Sequence, residues 1–226
     1  MPNRIIRALE ELSGRLGLRV LTAEYEILLA LLDRDHVPAN ELKQLCSISR
    51  AGFFNALARL KHWGFIQAEF SEKDRRVKLY RLHPRTKHTL HEHFRALRLS
   101  NLTLDTLSLR RLDGAWSDLS VPADTGRVSQ QRLPHLTPEY QILLCVFLKP
   151  GRPSAEISAS VSASGTKANS ALRHLRNAGL ITFKRCPSDS RRTLNFPSGA
   201  ANEAIELSMR RVFEYLDDLD GEVNRG

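Results

Sequence analysis

Two short polar runs in this 226-residue chain carry the same charged pair. Asp74-Arg75-Arg76 and Asp189-Ser190-Arg191 each set a carboxylate two residues before an arginine, with Lys78 near the first run and Arg192 beside the second. Guanidinium groups on a projecting loop suit phosphate, or the strong negative potential of a narrow DNA minor groove. Upstream of each run a serine opens a stretch with helical spacing. Ser49 is followed by Arg50, Phe54, Asn55 and Arg59; Ser164 by Gly165, Thr166, Lys167, Asn169, Ser170 and His174. Hydroxyls and the Asn169 amide pair with base edges or phosphates, and Lys167 reaches guanine or a phosphate. Backbone N–H groups at a serine-capped helix start also accept a phosphate. Phe54 has two readings: contact with a thymine methyl, or membership of a core or protein interface.

Other chemistry has less behind it. Ser, His and Asp are all present, but without a nucleophile elbow or a glycine-rich phosphate loop, so no enzyme is expected. His83, His88, His91 and His93 cluster in sequence, yet no supporting Cys, Asp or His-Glu-x-x-His pattern accompanies them, and solvated histidines are expected rather than a metal site. Cys46, Cys145 and Cys186 are odd in number and lack metal-type spacing, which fits a reducing compartment. Cys186 is read as a spectator thiol. No cofactor is expected. Basic residues outnumber acidic ones 34 to 25, a net charge of +9 that favours a polyanionic partner. The apolar run Tyr140 to Leu148 has about half the length of a membrane span, and the N-terminus lacks a signal peptide's apolar stretch. A cytoplasmic protein with no membrane partner is the expectation.

The elements that must hold these residues repeat. A shift of 115 residues superimposes Leu21–Leu82 on Leu136–Pro197 without a gap, with 19 identities in 62 positions. Leu21-Thr22-x-Glu24-Tyr25-x-Ile27-Leu28-Leu29 returns as Leu136-Thr137-x-Glu139-Tyr140-x-Ile142-Leu143-Leu144, and Leu57-x-x-Leu60-x-x-x-Gly64-x-Ile66 as Leu172-x-x-Leu175-x-x-x-Gly179-x-Ile181. One register held this long means the same module twice. Each copy predicts a threonine-capped apolar helix, a break at 35–38 or 150–153, a short helix, and a serine-capped helix ending at Gly64 or Gly179. Two strands then follow, with polar loops at 71–76 and 187–191 between them. Three helices and a hairpin make a winged helix-turn-helix. The expected fold is mainly α with small β wings: an N-terminal helix (1–20), a first module (21–82), a long connecting helix (83–112), a linker (113–135), a second module (136–197) and a C-terminal helix (198–226). The flanking helices carry apolar stripes, Ile5, Leu9, Leu12 and Leu16 at one end and Ile205, Met209, Val212, Leu216 and Leu219 at the other, and form a dimerisation-like layer.

The stretch from Ser49 to Leu82 closely resembles the MarR family of bacterial transcription regulators. The resemblance rests on the serine-capped helix, Leu57-x-x-Leu60-x-x-x-Gly64, and Asp74-Arg75-Arg76-x-x-Leu79-x-x-Leu82. The second copy keeps Asp189-Ser190-Arg191 and Leu194 but has Pro197 at the last leucine's place. The resemblance implies that Asp74 and Asp189 brace the wing arginines rather than touch DNA, and that a small-molecule effector can act by altering the spacing between modules. Ordinary members carry one module per chain and pair as homodimers, so this chain resembles a single-chain pseudo-dimer.

These readings converge on a sequence-specific double-stranded DNA-binding transcriptional regulator. Its two recognition helices enter the major groove about one duplex turn, roughly 34 Å, apart, at an asymmetric or imperfect inverted repeat; promoter occupancy represses by excluding polymerase, with activation the open alternative. A homodimer of the chain places four modules on a longer site. The first module carries ten basic and eight acidic residues and the second nine and three, so the second is expected to supply more electrostatic affinity. Two rival readings stand beside this one: a plasmid or phage replication initiator with paired winged helices, and a tandem winged-helix scaffold that binds no DNA.

Overall fold

The computed structural model describes residues 2–32, 34–99, 119–121, 131–161 and 163–223, with side chains at 7–32, 34–92, 133–161 and 163–211. They fall into two compact units. One takes the described residues of Met1–Arg7, Leu21–Asn101 and Ala115–His135, the other those of Ala8–Val20, Leu102–Gly114 and Leu136–Gly226. Among the described residues, no helix is long and apolar enough to cross a membrane.

Helix α1 (Pro2–Leu16) opens the chain and buries Ala8, Leu9, Leu12 and Leu16 in the second unit. In the first unit, α2 (Ala23–Leu32) is apolar almost all round, as a core helix must be. Its Tyr25, Ile27, Leu28, Leu29, Leu31 and Leu32 are buried, and it packs on α4 (Arg50–His62) through Phe53, Ala56, Leu57 and Leu60. The short α3 (Ala39–Gln44) precedes α4, contributing Leu42. Strands β2 (Ile66–Phe70) and β3 (Lys78–Leu82) form the hairpin, and α5 (Pro84–Leu99) follows. The continuation expected to Leu112 lies outside the described residues.

The second unit runs in the same order. Helices α6 (Pro138–Leu148), α7 (Ser154–Ala159) and α8 (Gly165–Asn177) precede strands β7 (Ile181–Cys186) and β8 (Asp189–Pro197), and α9 (Gly199–Val223) closes it. Its core is Tyr140, Ile142, Leu143, Val146, Ile157, Leu172 and Leu175. The architecture is mainly helical with small antiparallel sheets.

Three details differ from the sequence reading. The breaks after α2 and α6 contain two-residue strands, β1 (Val37–Pro38) and β6 (Arg152–Pro153), which add a third strand to each hairpin. The stretch expected as a linker holds two more strands, β4 (Leu119–Val121) and β5 (Gln131–Leu133), paired antiparallel. And 189–191, expected in a loop, belong to β8: a bulge at Arg185/Cys186 lets Cys186 pair with Asp189 across a two-residue turn.

Backbone hydrogen bonds follow the 115-residue offset closely. Val37 pairs with Tyr80 and Ile66 with Leu82; Arg152 pairs with Asn195 and Ile181 with Pro197. Helix α4 ends as the Phe65 N–H donates to the Leu60 carbonyl and the Gly64 N–H to that of Lys61, and α8 ends with Leu180 to Leu175 and Gly179 to Arg176. This six-to-one and five-to-two pattern needs a left-handed residue, and Gly64 (φ 75°) and Gly179 (φ 71°) supply it. The equivalence runs past the aligned sequence. His83 N–H donates to Phe65 and Ser198 N–H to Leu180, and Leu90 of α5 and Ile205 of α9 are both fully buried.

Each first helix is closed by a distant segment. In the first unit the Thr22 N–H donates to the His135 carbonyl (2.9 Å) and its hydroxyl to that of Pro134 (2.7 Å). In the second, the Thr137 N–H donates to Val20 (2.9 Å) and its hydroxyl to Arg19 (2.5 Å). Donors and acceptors correspond one to one at the same offset.

The Tyr140 hydroxyl is buried with no hydrogen-bond partner among the described residues, and burial raises its pKa above the ordinary tyrosine value. An unsatisfied buried polar group is a net cost. Tyr140→Phe is therefore expected to leave stability unchanged or raise it by up to about 1 kcal/mol, read from the urea midpoint. A loss of similar size would reveal a partner for the hydroxyl.

Candidate nucleic-acid interface

Helix α4 presents one face to the core and another to solvent. Ser49, Arg50, Phe54, Asn55 and Arg59 are all exposed, opposite the buried Phe53, Ala56, Leu57 and Leu60. Ser49 caps the helix, its hydroxyl accepting from the Gly52 N–H at 3.2 Å. The turn before it is held from the core: the Glu26 carboxylate accepts from both the backbone N–H and the hydroxyl of Ser47, the latter at 2.9 Å. Arg59, although exposed, forms an ion pair with the nearly buried Glu24. Among the described residues it is the expected first-copy cation with a carboxylate partner, and the pair links α4 to α2.

Helix α8 repeats the division. Ser164, Thr166, Lys167, Asn169, Ser170 and His174 are exposed, and Ala168, Ala171, Leu172 and Leu175 are buried. Ser164 has the same backbone conformation as Ser49 but makes no side-chain cap bond. The Ser158 hydroxyl donates to Asn169 Oδ1 at 3.1 Å, so the Asn169 amide nitrogen keeps its donors for a ligand. Arg173 is also exposed on this face. The sequence reading passed it over, although its place seven residues after Thr166 and three after Ser170 puts it on the same helical stripe.

The hairpins carry the remaining cations. Arg75, Arg76 and Lys78 are exposed in one, Arg191 and Arg192 in the other. Asp74 Oδ1 accepts from the backbone N–H of Arg76 at 2.9 Å, and Asp189 Oδ1 from that of Arg191 at 3.0 Å. Each aspartate thus fixes the main chain at the arginine and leaves the guanidinium free to point outward. Arg192 also bonds Glu156 at 3.0 Å. Lys184 and Arg185 on β7 are exposed as well, two cations that the sequence reading did not single out. Phe70 and Phe183 are exposed aromatics beneath cations, Lys78 Nζ lying 5.5 Å from one ring and the Arg176 guanidinium 5.0 Å from the other.

Residues 16–77 match the MarR family. The matched segment holds Ser49, Arg50, Phe54, Asn55, Arg59 and the Asp74-Arg75-Arg76 run. A transcriptional regulator from Thermotoga maritima is similar at 16% identity and a TM-score of 0.35, over 38% of this chain and 61% of its own. The MepR–DNA complex of S. aureus is 17% identical with a TM-score of 0.35, over 39% and 73%. The repressor CouR bound to a 23-mer DNA duplex is 25% identical with a TM-score of 0.31, over 38% and 63%. The chain therefore spans less than two thirds of the Thermotoga regulator and of CouR. No curated protein matches it.

The MarR-like segment and its second copy differ in how the hairpin is tied to the helix. In the second unit Arg176 donates to Asn195 Oδ1 (2.6 Å) and to the Ser154 hydroxyl (2.9 Å), while the Asn195 amide donates to the Arg152 carbonyl (3.0 Å). Asn195 is fully buried. The equivalent residues in the first copy are Lys61, Tyr80 and Ala39, which cannot form this network. Asn195→Ala strands a partly buried guanidinium and is expected to cost roughly 1–3 kcal/mol, measured by chemical denaturation. The equivalent Tyr80→Ala breaks no such network, so its loss should come from packing alone.

Among the described residues no three His, Cys, Asp or Glu converge on a metal-sized site. Cys46 and Cys145 are buried, whereas Cys186 lies in the second hairpin, its thiol held below the ordinary cysteine value by the Ser188 hydroxyl 3.1 Å away. Native alkylation with iodoacetamide should modify Cys186 first, leaving Cys46 and Cys145 unmodified until the protein unfolds. Mass spectrometry of the labelled peptides checks the order.

Proposed function

We propose that the chain is a sequence-specific regulator of transcription that binds double-stranded DNA with two MarR-like winged modules, acting as a single-chain pseudo-dimer. The observation that carries this reading is the coincidence, in both copies, of an exposed polar helix face with an arginine-bearing hairpin whose main chain is set by an aspartate. The helix suits the major groove, and the hairpin suits phosphates or the minor groove. The MarR match over residues 16–77 supports the same reading for the first copy.

The two copies contribute unequal charge. In the first unit Arg34, Arg59, Arg81 and Lys87 all have carboxylate partners: Glu41, Glu24, Glu69 and Asp35. In the second, Glu156 engages Arg152 and Arg192, while Lys167, Arg173 and Arg191 stand exposed on the same unit. Arg50, Arg75, Arg76 and Lys78 stand exposed on the first as well, so the imbalance comes from the acidic residues, eight in the first copy against three in the second, and it assigns more of the phosphate attraction to the second.

Fluorescence anisotropy on duplex DNA from upstream of the protein's own gene, at several salt concentrations, tests this. Affinity should fall log-linearly with salt, at a slope of roughly −0.9 per phosphate contact. The Arg76→Ala/Arg191→Ala double variant should bind more weakly with a slope shallower by about 2, and Arg191→Ala alone should weaken binding more than Arg76→Ala. Undiminished binding by the double variant would remove the hairpins from the interface.

A further inference from the structure

Helices α4 and α8 each have 13 residues and start from serines of nearly identical backbone conformation, so their exposed positions can be compared one by one. Three of them, separated by three and four residues, form a stripe along the solvent face of each helix. In α4 the stripe is Ala51, Phe54 and Ala58; in α8 the equivalents are Thr166, Asn169 and Arg173. All six are exposed. The same backbone thus offers an apolar stripe in one copy and a hydrogen-bonding stripe in the other.

The apolar stripe is built rather than incidental. Phe54 is 45% exposed, yet its ring is held edge-on against the fully buried Phe53, with centroids 5.2 Å apart and planes at 79°. An aromatic tip fixed toward water on a helix otherwise lined by Arg50, Asn55 and Ser49 wants an apolar partner in a polar, anionic setting. The thymine C5-methyl in the major groove is such a group, and alanine and phenylalanine are side chains that contact it. The exposed cations of the same unit, Arg50 on the helix and the Arg75–Arg76 pair in the hairpin, favour nucleic acid over an apolar protein surface.

The other stripe has the opposite preference. Arg173 matches the O6 and N7 acceptors of guanine in the bidentate fashion that arginine favours. Asn169 accepts from Ser158 through one lone pair of its carbonyl oxygen and keeps both amide donors, which suit guanine acceptors.

We infer that the two recognition helices read chemically different half-sites, the first recognising thymine methyl groups through Ala51, Phe54 and Ala58 and the second recognising guanine through Asn169 and Arg173. This rests on the DNA-binding reading above and adds the bases to it.

The test uses the full chain and a duplex selected from a randomised pool. In that duplex the thymines of each half are replaced in turn by deoxyuridine, which pairs identically but lacks the methyl. The guanines of each half are likewise replaced by 7-deazaguanine, which lacks N7. Binding should weaken about fourfold per lost methyl contact in one half only, and on loss of N7 in the other half only. Phe54→Asn, which installs the second copy's residue at an exposed position, should erase the deoxyuridine effect. Arg173→Ala should erase the 7-deazaguanine effect. Arg173→Ala should keep the parent's thermal midpoint, and Phe54→Asn should unfold in the same single transition, lowered only by the lost contact with Phe53. Specific binding that is indifferent to deoxyuridine in both halves overturns this inference while leaving the DNA-binding reading intact. Failure to select any duplex overturns both, and would leave the Phe54 stripe to a protein partner.

Discussion

Two threonines hold this molecule's organisation. Thr22 and Thr137 each begin the core helix of a unit, where backbone donors have no partner within the helix. Each sends its N–H and its hydroxyl to two consecutive carbonyls, Thr22 to His135 and Pro134, Thr137 to Val20 and Arg19. Those acceptors lie more than a hundred residues away in sequence, in the segment that immediately precedes the other copy. The segment 8–20 therefore completes the unit of 136–223, and the segment ending at His135 completes the unit of Leu21–Leu82. Neither half of the sequence contains a whole unit. A cut between the copies would leave each core helix with unsatisfied donors at its first turn and its covering segment on the other fragment.

Much of each unit was legible because the signals are local. Apolar spacing marked α2, α4, α6 and α8. The serines and Gly64 and Gly179 marked helix ends, and the Asp-x-Arg runs marked the hairpins, whose aspartates turn out to hold the main chain two residues on. What escaped was long-range. The strands β1 and β6 are two residues each and exist only because Tyr80 and Asn195 stand opposite them. The exchange of segments depends on carbonyls, which carry no side-chain signature. The strands at 119–121 and 131–133 were hidden by nearby glycine and proline, which read as a linker. Arg59 illustrates the same limit within the site. Its helical position put it on the solvent face of α4, where it also pairs with a buried carboxylate on α2, and no sequence spacing announces that pairing.

The pattern of similarity between the copies also has a physical order. What repeats at the 115-residue offset is backbone bonding and buried apolar volume: the strand registers, the left-handed glycines, the threonine closures, and Tyr25, Ile27, Leu28 with Tyr140, Ile142, Leu143. These positions are costly to change, because an orphaned backbone group or a cavity costs kilocalories. The exposed positions of α4 and α8 almost all differ, since surface substitutions are nearly neutral to stability. Between these extremes lie polar contacts in which residue types differ between the copies, Glu24–Arg59 in one and Arg176–Asn195–Ser154 in the other. Each fastens α4 or α8 to the rest of its own unit by a different route.

That separation bears on what a doubled chain can do that a symmetric pair cannot. In a two-fold homodimer the same surface appears twice, and any substitution on a reading helix changes both halves at once. With two copies in one chain, a substitution such as phenylalanine at position 54 stands against asparagine at 169 while the backbone beneath both stays the same. The shared scaffold fixes how each helix is presented, and the side chains decide independently what each one meets. The charge imbalance between the copies follows the same logic, because neither surface has to be repeated by a two-fold rotation.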